Sequence, residues 1–258
     1  MFHYINIELI RNNLSEFQNQ WNSKKPFKYL YFDDFFFKEK AELIYSSFPL
    51  PNSKEWNNTT YINQKNKFQK TQFEENSIFN QVFSELNSLE FLTLLTKITG
   101  IPNLISDEKL FGGGLHQSVK GAFLDVHVDY NFHPITKNHR MLNTLVYMNK
   151  DWKDEYEGYL ELWDMDEKIM IEKISPNFNR LAMFETNEIS FHGHPHPLNT
   201  PEGVNRQSIA TYYYTENRNE SETSEEHNTI YVNTTGVAGR FKNLKSGIKA
   251  IKERFQKK

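Results

Sequence analysis

The feature that most restricts this chain is a change of period near residue 108. Just before that point, over residues 76–100, apolar residues recur at helical spacing. Beyond it come eight short runs, "KLFGGGLHQSV", "GAFLDVHVDY", "RMLNTLVYMN", "GYLELWDM", "KIMIEKIS", "NRLAMFET", "ISFHGHP" and "RQSIATYYYT". Each reads as a strand, and Gly, Asn and Pro cluster between them as turns require. Regularly spaced strands of this kind predict an all-β sandwich or barrel. "FGGGL" (111–115) lacks the Lys-Ser/Thr of a phosphate loop and is read as a bend between strands.

The first hundred residues predict support for that core. Residues 1 to about 25 read as a surface helix. Tyr29 to Phe37 reads as a strand, followed by a short helix with Ala41, Leu43 and Ile44 as its buried face, stopped by Pro49 and Pro51. Residues 52–75, rich in Asn, Lys and Gln, read as an exposed loop. Residues 76–100 place Ile78, Val82, Phe83, Leu86, Phe91, Leu92, Leu94 and Leu95 at helical spacing, ended by Gly100 and Pro102. The expected organisation is one structural domain in three parts. A support region spans 1–107, a β core spans 108–216, and an extension spans 217–258. The extension ends in a basic helix (240–258) with Phe241, Leu244, Ile248, Ile251 and Phe255 on one stripe, expected to pack on its own domain.

Composition removes several classes of function. With no cysteine, disulfides and thiolate-held metals are excluded, so a metal must sit on His, Asp or Glu. A net charge of −3 gives no field that favours nucleic acid. No basic leader precedes an apolar core, and no apolar run reaches the roughly 18 residues of a spanning helix. The expectation is a cytoplasmic protein with no membrane span. The 21 Phe and 13 Tyr suit a β-rich interior.

Within "FLDVHVDYN" (123–131), alternation predicts that Phe123, Asp125, His127 and Asp129 share one strand face, while Leu124, Val126 and Val128 face the core. A His-x-Asp pair is weak alone. Its company is "SFHGHPHP", which packs His192, His194 and His196 into five residues, and the strand "RQSIATYYYT", where Arg206 and Ser208 share a face. An arginine on an otherwise apolar strand requires an anion to meet it. Two imidazoles and one carboxylate on one face of an octahedral ion are the known solution for Fe(II) that must also hold a co-substrate and oxygen. An arginine beside a hydroxyl then fits the far carboxylate of a 2-oxo acid, because its fork binds carboxylate bidentately. His192 and His194 lie on the same face, so periodicity does not choose between them.

The ordered set, His-x-Asp, a long gap, a distal His and then Arg-x-Ser, resembles the 2-oxoglutarate- and Fe(II)-dependent dioxygenase superfamily in its prolyl-hydroxylase-like branch. "FDDFFFKEKAELIYSSFP", "RMLNTLVYMNKDW" and "EGYLELWD" fit as well, and the likeness covers roughly residues 27–215. The resemblance implies a mainly β fold with flanking helices around a double-stranded β-helix, a jelly-roll, cupin-like core. It implies that His127, Asp129 and the distal His192 hold Fe(II), with His194 at the substrate mouth or behind His192 and His196 in a loop. Arg206 and Ser208 would anchor 2-oxoglutarate, with Asn143 and Tyr147 as further contacts. O2 would be the oxidant and ascorbate a reductant. A carboxylate at Asp129 implies hydroxylation, since halogenating relatives need a small residue there.

The implied activity is hydroxylation of an unactivated C–H bond in a peptidyl or free amino acid, proline-like, with release of succinate and CO2. The partner would be that small-molecule or peptidyl substrate. Two alternatives are a tailoring hydroxylase of a sugar or small metabolite and a non-catalytic cupin-like metal-binding protein; the second leaves Arg206 and Ser208 without a purpose. One departure concerns the pocket's shape: many relatives carry a Gly-Gly pair where this chain has Glu157, Gly158 and Tyr159. His133 and His139 are expected in a solvated loop over the site.

Overall fold

The structure is a computed structural model that describes residues 3–51, 53–61, 63–232 and 234. The basic helix expected over 240–258 lies outside the described residues. In chain order, α1 (Ile7–Asn12) and α2 (Leu14–Ser23) lead into β1 (Tyr29–Phe32) and α3 (Lys38–Ser46). A hairpin of β2 (Asn57–Tyr61) and β3 (Gln64–Lys70) follows, then α4 (Ile78–Leu86) and α5 (Leu89–Thr99). The remaining strands are β4 (Ile105–Ser106), β5 (Gly114–Val128), β6 (His139–Tyr147), β7 (Leu160–Asp164), β8 (Ile169–Ile174), β9 (Arg180–Glu185), β10 (Phe191–His194), β11 (Arg206–Thr215) and β12 (Ile230–Tyr231).

The strands pair antiparallel in the order β1-β9-β6-β11-β5-β10-β7-β8. β5 joins the two halves of this double-stranded β-helix. Its first part lies between β3 and β11, and its last part pairs with β10 and β12. The fifteen-residue strand merges two runs that the sequence separates. It turns at Gly121, whose left-handed φ of +77° is open to glycine at little cost.

Alternation along the strands divides two cores. On β9, Leu181 and Met183 face the helices, where they meet Phe83, Leu95 and Trp21 in the larger cluster. Ala182 and Phe184 point the other way, into a smaller cluster with Phe27, Tyr147, Leu160 and Leu162. This second cluster fills the barrel beneath the site. The helices are built as their sequences predict. Ser77 and Ser88 cap α4 and α5 by accepting from the amides of Asn80 and Phe91, and Gly100 ends α5 in the left-handed region.

Three local expectations change. Residues 52–75 contain the β2–β3 hairpin rather than an exposed loop. Its polar side chains conceal a strand whose ladder completes the open edge of β5, with Phe68 packed edge-on to Trp56. Leu43 is exposed, leaving Ala41 and Ile44 as the buried face of α3. The aromatic run ends as a strand at Phe32, and Phe35 and Phe36 enter the core after a turn at Asp34, which has a positive φ.

Candidate active site

The end of β5 and the whole of β10 bring the site together. His192 lies directly opposite His127 across the ladder, with ring centroids 4.4 Å apart. Asp129 follows immediately after β5. His127 Nδ1 donates to the Asp125 carbonyl at 2.8 Å, and His192 Nδ1 donates to the Ser190 carbonyl at 2.9 Å. Both bonds fix the tautomer that leaves Nε2 with a lone pair. Those lone pairs converge on Asp129: His127 Nε2 is 3.6 Å from Oδ1 and His192 Nε2 is 3.5 Å from Oδ2. All three potential ligand atoms lie within 4.8 Å of one another. Bonds of about 2.1 Å to one ion put neighbouring donors about 3 Å apart, so a small contraction closes the triad. Two imidazoles and a carboxylate fit Fe(II).

A bulge breaks the alternation expected along β5. His192 pairs with His127 and His194 with Leu124, two residues against three. Leu124 therefore lines the pocket with His127. Asp125 turns away, its carboxylate accepting from the Asn63 amide at 3.1 Å.

The electrostatics favour an ionised Asp129 carboxylate and a neutral His192 imidazole. Burial alone would raise the Asp129 carboxyl, but the Arg140 guanidinium, with the two histidines, holds it well below the usual range. Burial, reinforced by His127 and opposed by Asp129, pulls the His192 imidazole down to about 3. Arg140 is 1% exposed and reaches Asp129 Oδ2 at 3.0 Å. It is clamped between the rings of Tyr212, at 3.6 Å, and Tyr130, at 4.4 Å. Asn143 completes the support, donating to Asp129 Oδ2 at 2.7 Å and accepting from Arg140 Nε at 2.9 Å. Asn143 also lines the pocket in which its contact with the co-substrate is expected.

Arg206 and Ser208 enter the same pocket from β11 and are buried. Arg206 Nε donates to the Gly158 carbonyl at 2.6 Å, and Nη2 donates to the Tyr147 hydroxyl at 3.2 Å. Both partners are neutral, and among the described residues Arg206 makes no ion pair. A buried guanidinium held in this way is a seat for an anion.

Of the other histidines, His194 lines the pocket and is buried, its Nδ1 without a hydrogen-bond partner among the described residues. His196 lies on the surface, 3.6 Å from Glu161. His133 is buried rather than solvated: its Nδ1 accepts from the amides of Ile135 and Thr136, and Nε2 lies 3.5 Å from Asp107. His139 is half-buried.

Two residues of the site, Lys67 in the pocket and Arg140 behind it, escaped sequence reasoning. Lys67 reaches the cavity from β3; burial, partly offset by Asp129, pulls its ammonium down to about 8. Nothing in the polar run "QKNKFQK" distinguishes it. Arg140 carried a usable signal, being a lone arginine at the head of an apolar strand, the same signal that drew attention to Arg206.

At the departure from the Gly-Gly pair, Glu157 has φ 58° and ψ −151°, a conformation open almost only to glycine. Gly158 follows at φ +75°, where a Cβ would lie 2.4 Å from Leu198 Cδ2 and 3.0 Å from Arg206 Cδ. Glu157 thus holds a backbone conformation that strains any residue with a Cβ. Replacing Glu157 with glycine is therefore expected to stabilise the fold by about 1 kcal/mol in urea titration. An equal or lower midpoint would show that the position is relaxed.

With the geometry in place, comparisons give the class. The model of the 2OG-Fe(II) oxygenase superfamily matches residues 113–214, the stretch carrying the triad, Arg206 and Ser208. Among solved structures, the chain is similar to a prolyl hydroxylase from Trichoplax adhaerens in complex with a hypoxia inducible factor peptide fragment. That match has a TM-score of 0.56 and 17% identity, covering 81% of this chain and 92% of that one. It is also similar to a Pseudomonas putida prolyl-4-hydroxylase, with TM-score 0.53, 16% identity and coverage of 77% and 98%. A viral collagen prolyl hydroxylase from Paramecium Bursaria Chlorella virus-1, in complex with 2OG, gives 0.50, 12% identity and coverage of 76% and 98%. No curated protein gives a match. Residues 113–214 thus match the 2OG-Fe(II) oxygenase superfamily, and the chain has a prolyl-hydroxylase-like fold. It is a 2-oxoglutarate-dependent dioxygenase whose cofactor is Fe(II) and whose co-substrates are 2-oxoglutarate and O2. Among the described residues, no helix is long and apolar enough to cross a membrane.

Proposed function

We propose that this enzyme hydroxylates an unactivated C–H bond of a peptidyl or free amino acid, proline-like, releasing succinate and CO2. In this reading His127, Asp129 and His192 hold the metal, and Arg206, Ser208 and the Tyr147 hydroxyl seat the far carboxylate of 2-oxoglutarate. The observation that carries it is the buried Arg206, without an acidic partner among the described residues, in the pocket that also holds the triad.

With O2 as the oxidant and 2-oxoglutarate giving two electrons as it becomes succinate and CO2, bound Fe(II) would supply the chemistry of C–H hydroxylation. The chain's own residues position and protect. Ser190 and Asp125 carbonyls aim the two imidazoles, and Arg140 with Asn143 fixes the carboxylate. Arg206, held against Tyr147 and Gly158, arrives already oriented, so little rotamer freedom is lost when a carboxylate docks. Leu145, Leu160 and Phe184 line the pocket and keep it dry. Asp129 occupies the position that would have to be small to admit chloride, in keeping with hydroxylation.

The test is succinate formation with free amino acids, proline-containing peptides and neutral sugars as candidate substrates. Stimulation by an amino acid or peptide supports the reading. Stimulation by sugars alone would replace it with the tailoring of a small metabolite.

A further inference from the structure

Two side chains in the pocket have no task in the chemistry above: Lys67 and His194. Strand register places Lys67 opposite Ser118 on one side of β5, and Arg206 opposite the same Ser118 on the other. Directly paired residues share a face, so Lys67, Ser118 and Arg206 form one row across the pocket wall. Two strand spacings separate the outer pair by roughly 10 Å at the backbone. His194 enters from β10 on the opposing side, 7% exposed, with Nδ1 unpartnered among the described residues.

The charges point the same way. Lys67 and Arg206 line the cavity, and Arg140 stands behind it, while Asp129 is the acidic side chain among the described lining residues. Fe(II) adds two positive charges, and 2-oxoglutarate, with its two carboxylates, cancels them. The pocket keeps its cationic excess after both are seated, and an anionic substrate group would offset it.

We propose that Lys67 and His194 form a subsite beside the metal for an anionic oxygen group of the substrate, a carboxylate or a phosphate. The inference rests on the oxygenase reading above and narrows it: a free carboxylate suits an amino acid or a chain terminus, whereas an internal residue of a neutral peptide offers none. The subsite is distinct from the Arg206 seat, which takes the co-substrate.

The test uses the full chain under anaerobic conditions, loaded with Fe(II) and saturating 2-oxoglutarate and monitored by the visible charge-transfer band of the chelate. Acetate and methyl phosphate are then titrated by calorimetry into wild type, Lys67→Gln and Lys67→Arg. One of the two anions is expected to bind wild type saturably while the band persists. Lys67→Gln should weaken that binding about tenfold or more, and Lys67→Arg should retain most of it. Acetate would identify a carboxylate site and methyl phosphate a phosphate site. No saturable binding in wild type, or equal binding in Lys67→Gln, overturns the subsite.

A parallel titration of 2-oxoglutarate separates the two claims. Lys67→Gln should change its affinity by less than about threefold, and Arg206→Gln should weaken it about thirtyfold or more. If Lys67→Gln weakens it as far as Arg206→Gln does, Lys67 belongs to the co-substrate seat and the subsite is wrong while the oxygenase reading stands. If wild type shows no band, the oxygenase reading is what fails.

Discussion

Replacing His127 with alanine is expected to lower affinity for a divalent metal by about a hundredfold or more, and to lower succinate formation at least as far. Loss of an outer-shell partner alone typically costs 10- to 100-fold, and His127 is a proposed direct donor. Its Nε2 points at Asp129 Oδ1 because Nδ1 is committed to the Asp125 carbonyl, so no neighbouring imidazole can take its direction. His194 lies across the ladder from Leu124 rather than His127. The fold should tolerate the change, since Val126 and Val128 on the core face of β5 are untouched. Isothermal titration with Co(II) in the apo-protein checks this. Undiminished affinity would remove His127 from the metal site.

The second large effect falls on stability. Arg140→Met is expected to destabilise the apo-protein by about 3 kcal/mol, the usual cost of leaving one member of a buried ion pair alone. The substitution keeps most of the apolar stem between Tyr130 and Tyr212 but removes the charge facing Asp129. Adding Asp129→Asn to Arg140→Met should recover much of the loss, because the uncompensated charge disappears. Metal should also raise the melting temperature of Arg140→Met more than that of wild type, since the cation replaces the missing guanidinium. Additive losses in the double variant would show that Arg140 stabilises through packing instead.

The pH dependence follows from the same pair. The Asp129 carboxyl is held below its ordinary value of 3.8 in the folded apo-protein. Its contribution is therefore fully present above that value and is lost as pH falls towards the lower folded value. Arg140→Met brings the two values together, so its acid limb should be shallower than that of wild type.

Much of this architecture was legible in the sequence because the signals are local and periodic. β11 spans the run "RQSIATYYYT", and the Arg206–Ser208 face is the pocket face, because alternation survives where the ladder runs in register, ahead of the shift at Tyr213 and Tyr214. Asp125 and Leu124 were exchanged because a bulge reverses alternation at a point that only the partner strand β10 determines. The β2–β3 hairpin was hidden for a related reason: an edge hairpin with polar faces is held by its ladder to β5, not by an apolar pattern of its own. Lys67 gains its place from that cross-strand register and so carries no mark in the sequence. The position of Glu157 was legible as a departure from Gly-Gly, but that the chain would accept a glycine-only conformation there was not.

The most direct measurement of the central claim is an anaerobic titration of the apo-protein with Fe(II) and then 2-oxoglutarate, following the visible charge-transfer band of the chelate. Wild type, His127→Ala and Arg206→Ala would be run together. The account predicts a band in wild type, none in His127→Ala, and a band in Arg206→Ala only at far higher 2-oxoglutarate. Metal binding without any band in wild type would contradict it.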